Sequence, residues 1–244
     1  MIKIIIHITK FIIATITALL FASCNLNVNT IEGSGNVTTE KRIVQGDFKN
    51  ISVSNAIDVE IEQSDATEIT VEADDNLQKE IITKVENGTL IIKCKFSSFR
   101  NVTMKKVTIK MPSLEKIEAS SASNVQTKNV FQGENIDLES SSAATMDLNI
   151  ESDNISATSS SGSSINVQGK ALKVQTRASS GASIDAGKLL ANDVNADVSS
   201  GGTINVHPIV SLKAEASSGG HINYDITPKS IEKKSSSGGS ISQG

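Results

Sequence analysis

The sequence feature that most constrains the fold is a repeat of paired serines in the C-terminal half of the chain. The pair Ser-Ser recurs seven times, at intervals of 18 to 21 residues. The first serines of the pairs are Ser120, Ser141, Ser160, Ser179, Ser199, Ser217 and Ser236. A fixed period of about 20 residues is typical of solenoid proteins, in which each repeat forms one coil that stacks on the next.

Apolar residues recur at fixed positions on both sides of the pair. Five residues before it stand Ile136, Ile155, Val174, Val194, Leu212 and Ile231. Five residues after it stand Val125, Met146, Ile165, Ile184, Ile204, Ile222 and Ile241. Apolar and polar residues alternate around both positions, as they do in β-strands with one buried face.

Each coil is therefore predicted to contain two short strands with a turn at either end. The pair and the small residue after it form one turn, where we expect the stacked serine hydroxyls to bond backbone groups. The second turn is predicted at Gly133, Gly169, Gly187, Pro208 and Pro228. The fold class predicted is all-β, a right-handed parallel β-helix of about seven coils preceded by a β-rich N-terminal region.

The N-terminal half shows alternation without the repeat. Strands are predicted at residues 51–53, 57–61, 69–71, 90–96 and 107–109, and a short helix between Leu77 and Val85. We divide the chain into a signal peptide (1–23), a lipid-attached tether (24–45), an N-terminal β region (46–118) and the β-helix repeats (119–244).

The first residues have the pattern of a cleavable export signal. Lysines precede the apolar stretch 11–21, which is followed by Ala22-Ser23-Cys24. The stretch is shorter than the roughly 20 apolar residues of a membrane-spanning helix. A cysteine directly after two small residues resembles the lipobox of bacterial lipoproteins, although Phe21 stands where that motif usually has Leu. The resemblance implies lipidation at Cys24, a location in the cell envelope as an outer membrane lipoprotein, and the membrane as a partner. It leaves open whether the domain faces the periplasm or the cell surface.

Composition limits the remaining partners and chemistry. The net charge is −4 and the charges are scattered, so a nucleic-acid partner is not expected. If Cys24 is acylated, Cys94 has no disulfide partner, and its alternation with Leu90 and Ile92 predicts a buried thiol.

No catalytic, metal or cofactor site is predicted. The chain has no Gly-x-Ser-x-Gly motif, and His207 and His221 are isolated in the sequence. Asp74-Asp75 is interpreted as a solvated turn rather than a calcium site.

One polar position repeats on the exposed side of the predicted strands. The candidate binding row consists of Gln126, Asp147, Asn166, Asp185, Asn205 and Asn223. Within it, Asp147 and Asp185 lie two coils apart, or about 10 Å, near the upper limit for an inverting glycosidase pair. This leaves a polysaccharide-active enzyme as the least favoured alternative.

The order of several short motifs resembles a known family. These motifs are residues 48–53, 56–61 and 71–77, and the repeated Ser-Ser-Gly-Gly-x-Ile-Asn at 199–205 and 217–223. Together they resemble bacterial envelope proteins described as auto-transporter adhesins with a head GIN domain. The resemblance implies a β-helix on an exported protein or lipoprotein, and it supplies no catalytic or binding residues.

Two non-enzymatic functions remain. The first is an adhesin or ligand-binding module with a surface glycan or protein as partner, and the second is an envelope scaffold formed by end-to-end stacking. Lys233 replaces a small or apolar residue at an inward position of the last coil. A charge there opposes edge-to-edge pairing, so we expect a monomer.

Overall fold

A computed structural model describes Ile8, Lys10, Ile12, Ile13 and Thr15, and then residues 29–244 without a gap. The N-terminal strands are β1 (Thr30–Glu32), β2 (Val37–Arg42), β3 (Asn50–Val53), β4 (Asp58–Gln63), β5 (Glu68–Asp74), β6 (Ile81–Glu86), β7 (Thr89–Cys94), β8 (Ser98–Arg100) and β9 (Lys105–Met111). A single-turn helix, α1 (Asp75–Gln78), follows β5. The later strands are β10 (Lys116–Ala119), β11 (Asn124–Thr127), β12 (Phe131–Ser140), β13 (Thr145–Ser159), β14 (Ser164–Ala178), β15 (Ser183–Val198), β16 (Thr203–Ala216), β17 (His221–Tyr224), β18 (Ser230–Ser235) and β19 (Ser240–Gln243).

From β10 onward the chain is a β-solenoid of stacked parallel coils, as the serine repeat predicts. Every pairing among β10 to β19 is parallel, and each coil pairs with the next at the predicted register. We call the strand segments that follow each serine pair the first wall, and the segments that lead into it the second wall. The two walls enclose a narrow apolar core.

The predicted apolar columns form this core. The first-wall column from Val125 to Ile222 is fully buried, and the second-wall column from Ile136 to Leu212 is at most 3% exposed. In the last coil, Ile231 is 38% exposed because no further coil covers it within the described residues. The alternation in the sequence thus assigned the inward face correctly.

The serine corner is a tight turn in which two successive residues adopt positive φ. In the first of these turns Ser121 has φ 54° and Ala122 has φ 59°, and the Ser123 N–H donates to the Ser120 carbonyl at 3.2 Å. Positive φ at both central residues defines a type I′ turn, which closes antiparallel hairpins elsewhere. Each turn also bonds the next coil, since the Ala122 N–H donates to the Ser142 carbonyl at 3.0 Å and later turns repeat this contact.

The prediction that the paired serines form a ladder of hydroxyl hydrogen bonds is wrong. Within residues 29–244 the hydroxyls of the pairs make no hydrogen bond, and the second serine of each pair is exposed. The buried hydroxyls belong to inward residues nearby: Ser163 Oγ lies 2.8 Å from the carbonyl oxygens of both Ser140 and Ser160, and its single proton can be donated to either. Backbone bonds within the turn and to adjacent coils hold the corner together without these hydroxyls.

The second corner also differs from the expected turn. The strands β13 to β16 run through it without a break, so that one bent strand of 14 to 16 residues spans both walls. Pairing with adjacent coils continues across the bend, for example at Ser152 and Ala171. The neighbouring coil therefore supplies the backbone partners that a turn would have to find within itself.

An earlier turn of the same type, at Ser54-Asn55-Ala56, was not recognised in the sequence because it lacks the serine pair. Asn55 and Ala56 have positive φ, and the Ala56 N–H donates to the Ser121 carbonyl at 2.9 Å. The strands on either side, β3 and β4, pair in parallel with β10 and β11. The solenoid therefore continues through the boundary drawn at residue 118. Strands β5 to β9 lie between the two corners in sequence and conceal the repeat.

The N-terminal end of the solenoid is covered by the antiparallel pairs of β2, β5, β6, β7 and β9, which we call the cap. Strand β5 pairs with β9 and β2, and β6 pairs with β7. The predicted helix between Leu77 and Val85 is wrong beyond Gln78, because β-branched residues of β6 pair with β7 instead. The stretch 24–45, expected to be a tether, contains β1 and β2.

Candidate functional site

The six residues of the predicted polar row form one continuous column on the first wall. Each is the register partner of the next, from Gln126 opposite Asp147 to Asn205 opposite Asn223. The pairing extends the column to Glu60 at one end and Ser242 at the other. Parallel strands lie about 4.8 Å apart, so the column presents one polar side chain per coil at that spacing.

Hydrogen bonds join neighbours at both ends of the row. Gln126 Nε2 donates to Glu60 Oε2 at 3.2 Å. At the other end, Ser242 Oγ donates to Asn223 Oδ1 at 2.7 Å, and Asn223 Nδ2 donates to Asn205 Oδ1 at 3.2 Å. These ladders hold the side chains in register along the solenoid.

The middle of the row is open and contains a shallow cavity of about 280 Å³. Its lining consists of Asp147, Asn166, Val167, Gln168, Asp185 and Lys188. A β-bulge shifts the register here. Asn166 pairs with Asp185, but Gln168 pairs with Lys188 where a regular ladder would pair it with Gly187. The Gly187 N–H in the bulge donates to Asp185 Oδ1 at 3.1 Å. The bulge therefore brings an ammonium group beside two carboxylates and two amides.

This arrangement suits hydrogen bonding better than acid–base catalysis. Asp147 and Asp185 are exposed, and Asn166 lies between them in the column. General acid catalysis by a carboxylic acid needs a raised pKa, which burial or a close like charge supplies. The cavity offers acceptors, donors and one cation to a ligand with several hydroxyl or amide groups.

The two histidines outside the signal segment are not isolated in space. His207 Nδ1 lies 2.6 Å from Asp225 Oδ2, and His221 Nδ1 lies 2.5 Å from Ser240 Oγ. Both partners sit one coil away, at sequence separations of 18 and 19 residues. The repeat length could have predicted these contacts. Among residues 29–244, neither pair has a third group placed to orient the imidazole, and the hydrogen bonds of both pairs are exposed to solvent.

Asp74 is buried, so its interpretation as part of a solvated turn is wrong. Its carboxylate accepts N–H groups from Gly35, Thr103 and Met104 at 3.0 to 3.1 Å. Burial acts to raise the pKa of Asp74, but these three N–H groups outweigh it and hold the pKa below its usual value. Asp74 therefore fastens the N-terminal segment to the cap. Among the described residues, no group of three acidic, His or Cys side chains is placed to hold a metal.

Cys94 is buried, as the alternation of β7 predicted. Burial raises the pKa of its thiol, which makes the reactive thiolate scarcer at neutral pH.

The predicted lipidation site, Cys24, lies outside the described residues. None of the helices in the described part of the chain has both the length and the hydropathy required to cross a lipid bilayer.

Solved structures with the same fold include proteins from the bacterial genera Bacteroides and Parabacteroides. A protein from Bacteroides fragilis described as "a putative adhesin" is 24% identical, with a TM-score of 0.80, over 87% of this chain and 99% of its own. A protein from Parabacteroides distasonis described as a "Putative lipid binding protein" is 23% identical, with a TM-score of 0.73, over 88% and 99%. A "putative adhesin" from Parabacteroides merdae is 22% identical, with a TM-score of 0.70, over 88% and 99%.

No curated protein matches the chain significantly. A family model described as "Putative auto-transporter adhesin, head GIN domain" matches residues 47–228, which include most of the cap, the first six of the seven serine pairs and the polar row. The resemblance found in the sequence motifs is confirmed, and the chain belongs to this head GIN domain family.

Proposed function

We propose that the protein is an outer membrane lipoprotein whose β-solenoid binds a surface glycan or protein without chemical turnover, in the manner of an adhesin. The observation that carries the proposal is the continuous polar row with its open central cavity. A rigid column of hydrogen-bonding groups at a fixed spacing suits an extended ligand that contacts several coils at once.

The lipid anchor would keep this surface at the membrane. Only residues 25–29 separate Cys24 from β1, and five extended residues span at most about 18 Å. The tether is thus much shorter than the 22-residue segment defined from the sequence. The anchored chain enters the domain at its capped end, so the coils that carry the polar row extend away from the attachment point.

The binding test measures retention of cells that display the protein on arrays of immobilised glycans and extracellular proteins. The row variant combines Asn166→Ala with Gln168→Ala in the central cavity. A matched control combines Ser156→Ala with Gln175→Ala on the second wall of adjacent coils. All four residues are outward-facing, so these changes should leave the core intact.

Retention that is lost in the row variant and kept in the control supports the proposal. Equal loss in both variants, or equal retention in both, contradicts a binding role for the row. Conversion of a bound glycan to shorter products would instead favour the polysaccharide-active alternative.

A further inference from the structure

Carboxylates and amides alternate along the polar row. From the cap onward, the side chains that lie opposite one another in successive coils are Glu60, Gln126, Asp147, Asn166, Asp185 and Asn205. Adjacent coils lie about 4.8 Å apart, so the carboxylates recur about every 10 Å. The alternation avoids like charges on directly opposite residues, which would destabilise the pairing. The row therefore presents a regular unit of two coils to a ligand that lies along it.

The central unit of the row is not used within the protein. Glu60, at the first end, is engaged because Lys106 Nζ lies 3.1 Å from its Oε2. Asp185 accepts one hydrogen bond, from the Gly187 N–H. Among residues 29–244, four other side chains of the central cavity form no hydrogen bond and no ion pair: Asp147, Asn166, Gln168 and Lys188. Their donors and acceptors are open to a ligand.

The lining of the cavity favours a glycan over a protein partner. Protein–protein interfaces bury an apolar core from which charged side chains are depleted. Here the apolar lining residue is Val167, and it is only 3% exposed. A sugar hydroxyl both donates and accepts, so it can donate to Asp147 or Asp185 while it accepts from Asn166. The lining residues, all within 29–244, include no aromatic side chain, so the sugar rings are held by their hydroxyl-bearing edges.

A column of hydroxyl groups runs beside the row. It lies two residues earlier on each strand, about 6.6 Å away, and its members pair in register. They are Thr145, Ser164, Ser183 and Thr203. Ser183 Oγ donates to Ser164 Oγ at 3.0 Å, which fixes the middle of the column. The two columns together form a straight polar track along the solenoid axis.

We propose that this track binds an extended, uncharged β-1,4-linked glycan, with one sugar over each coil. The inference rests on the binding role proposed above and names the class of ligand. In such a glycan each sugar is nearly as long as the coil spacing and is turned over relative to the last, so the same ring edge recurs at every second sugar. This recurrence matches that of Asp147 and Asp185. The two carboxylates disfavour a polyanion, and Lys188 offsets their attraction for a polycation.

Calorimetric titration of the purified protein, in a detergent without a sugar headgroup, measures the binding. The ligands are β-1,4-linked hexasaccharides of glucose, mannose and N-acetylglucosamine, and maltohexaose serves as the α-1,4-linked isomer of the first. At least one of the three should bind, with maltohexaose about tenfold weaker because a coiled chain contacts fewer coils. Asp147→Asn with Asp185→Asn should weaken binding about tenfold, because hydrogen bonds to a carboxylate are stronger than those to an amide. The matched control, Asp153→Asn with Asp197→Asn, removes the same charge outside the first wall and should bind like wild type.

The other outcomes overturn the proposal in distinguishable ways. Equal affinity for cellohexaose and maltohexaose refutes the extended geometry, and unchanged binding after Asp147→Asn with Asp185→Asn refutes the contacts. Tighter binding of the hexasaccharides of glucuronate or glucosamine refutes an uncharged ligand. If no hexasaccharide binds while retention on immobilised proteins still depends on Asn166 and Gln168, the glycan is refuted and the binding role of the row stands. Loss of that dependence as well contradicts both.

Discussion

Replacing Ile204 tests the inward register of the solenoid more sharply than any other core change. Ile204 is fully buried, and its partners in the column, Ile184 and Ile222, are fully buried as well. The next residue, Asn205, points outward into the polar row. Adjacent positions in one strand therefore have opposite environments, and the same substituent can be placed in both.

The expected magnitudes follow from this burial. Ile204→Val removes one buried methylene group and should cost about 1 kcal/mol, and Ile204→Ala about 2–5 kcal/mol because neighbouring coils hold the cavity open. Ile204→Asp adds a carboxylate without a partner, and its cost approaches the total stability of about 5–15 kcal/mol of a typical domain. Asn205→Asp keeps an acceptor for the Asn223 amide but adds a charge beside Asp185, so its cost should be about 0.5 kcal/mol.

Urea unfolding followed by circular dichroism measures these differences. Stacked repeats can unfold in more than one step, so a second probe such as intrinsic tyrosine fluorescence must give the same transition. Equal destabilisation by Ile204→Asp and Asn205→Asp would refute the register. So would a loss smaller than about 0.5 kcal/mol for Ile204→Ala, because a buried branched side chain must cost more.

Three further predictions concern other parts of the chain. Cys24→Ser should move the protein from the detergent phase to the aqueous phase in phase partitioning while its circular dichroism spectrum stays unchanged; a variant that stays in the detergent phase contradicts lipidation. Asp74→Asn should cost about 2 kcal/mol at pH 7, because a charged acceptor of three backbone N–H groups is lost. Folding lowers the pKa of Asp74, so the extra stability of the wild type is fully present above the ordinary pKa of Asp and is lost as the pH falls through the pKa of the folded state. The urea midpoints of wild type and Asp74→Asn should therefore converge in acid. Midpoints that stay equally far apart would contradict a stabilising role for the Asp74 carboxylate. Lys233 donates a hydrogen bond to the Tyr224 hydroxyl and lies 4.4 Å from the ring centroid, so Lys233→Ala should uncover the last coil and cause association in light scattering, whereas a variant that stays monomeric removes this role.

Sequence alone predicted those features that depend on alternation and on a constant period. The buried columns and the row from Gln126 to Asn223 follow from counting residues out from each serine pair, because parallel stacking turns sequence period into spatial register. The same counting would have paired His207 with Asp225. Features that interrupt the period were missed, because their effect depends on the adjacent coil. The bulge at Gly187 is one example, since only its mismatch with β14 brings Lys188 to the cavity.

The N-terminal region was less predictable for a different reason. The corner at Asn55 and Ala56 is 66 residues from its stacking partner, so no local repeat reveals it. Strand β2 has few buried side chains and is held by backbone pairing with β5 and by polar contacts around Asp74. Such long-range polar contacts produce no periodic pattern in the sequence. Residues 24–45 were therefore predicted to be a tether.

Surface labelling of intact cells tests the central functional claim, that the anchored domain meets partners outside the cell. A membrane-impermeant amine reagent should modify exposed lysines of the cap, such as Lys93 and Lys95, in intact cells while a periplasmic marker protein stays unlabelled. Mass spectrometry of the recovered protein then identifies the modified residues. Labelling of these lysines before the outer membrane is permeabilised is the predicted result. Labelling that appears only after permeabilisation would place the domain in the periplasm and contradict an adhesin-like role.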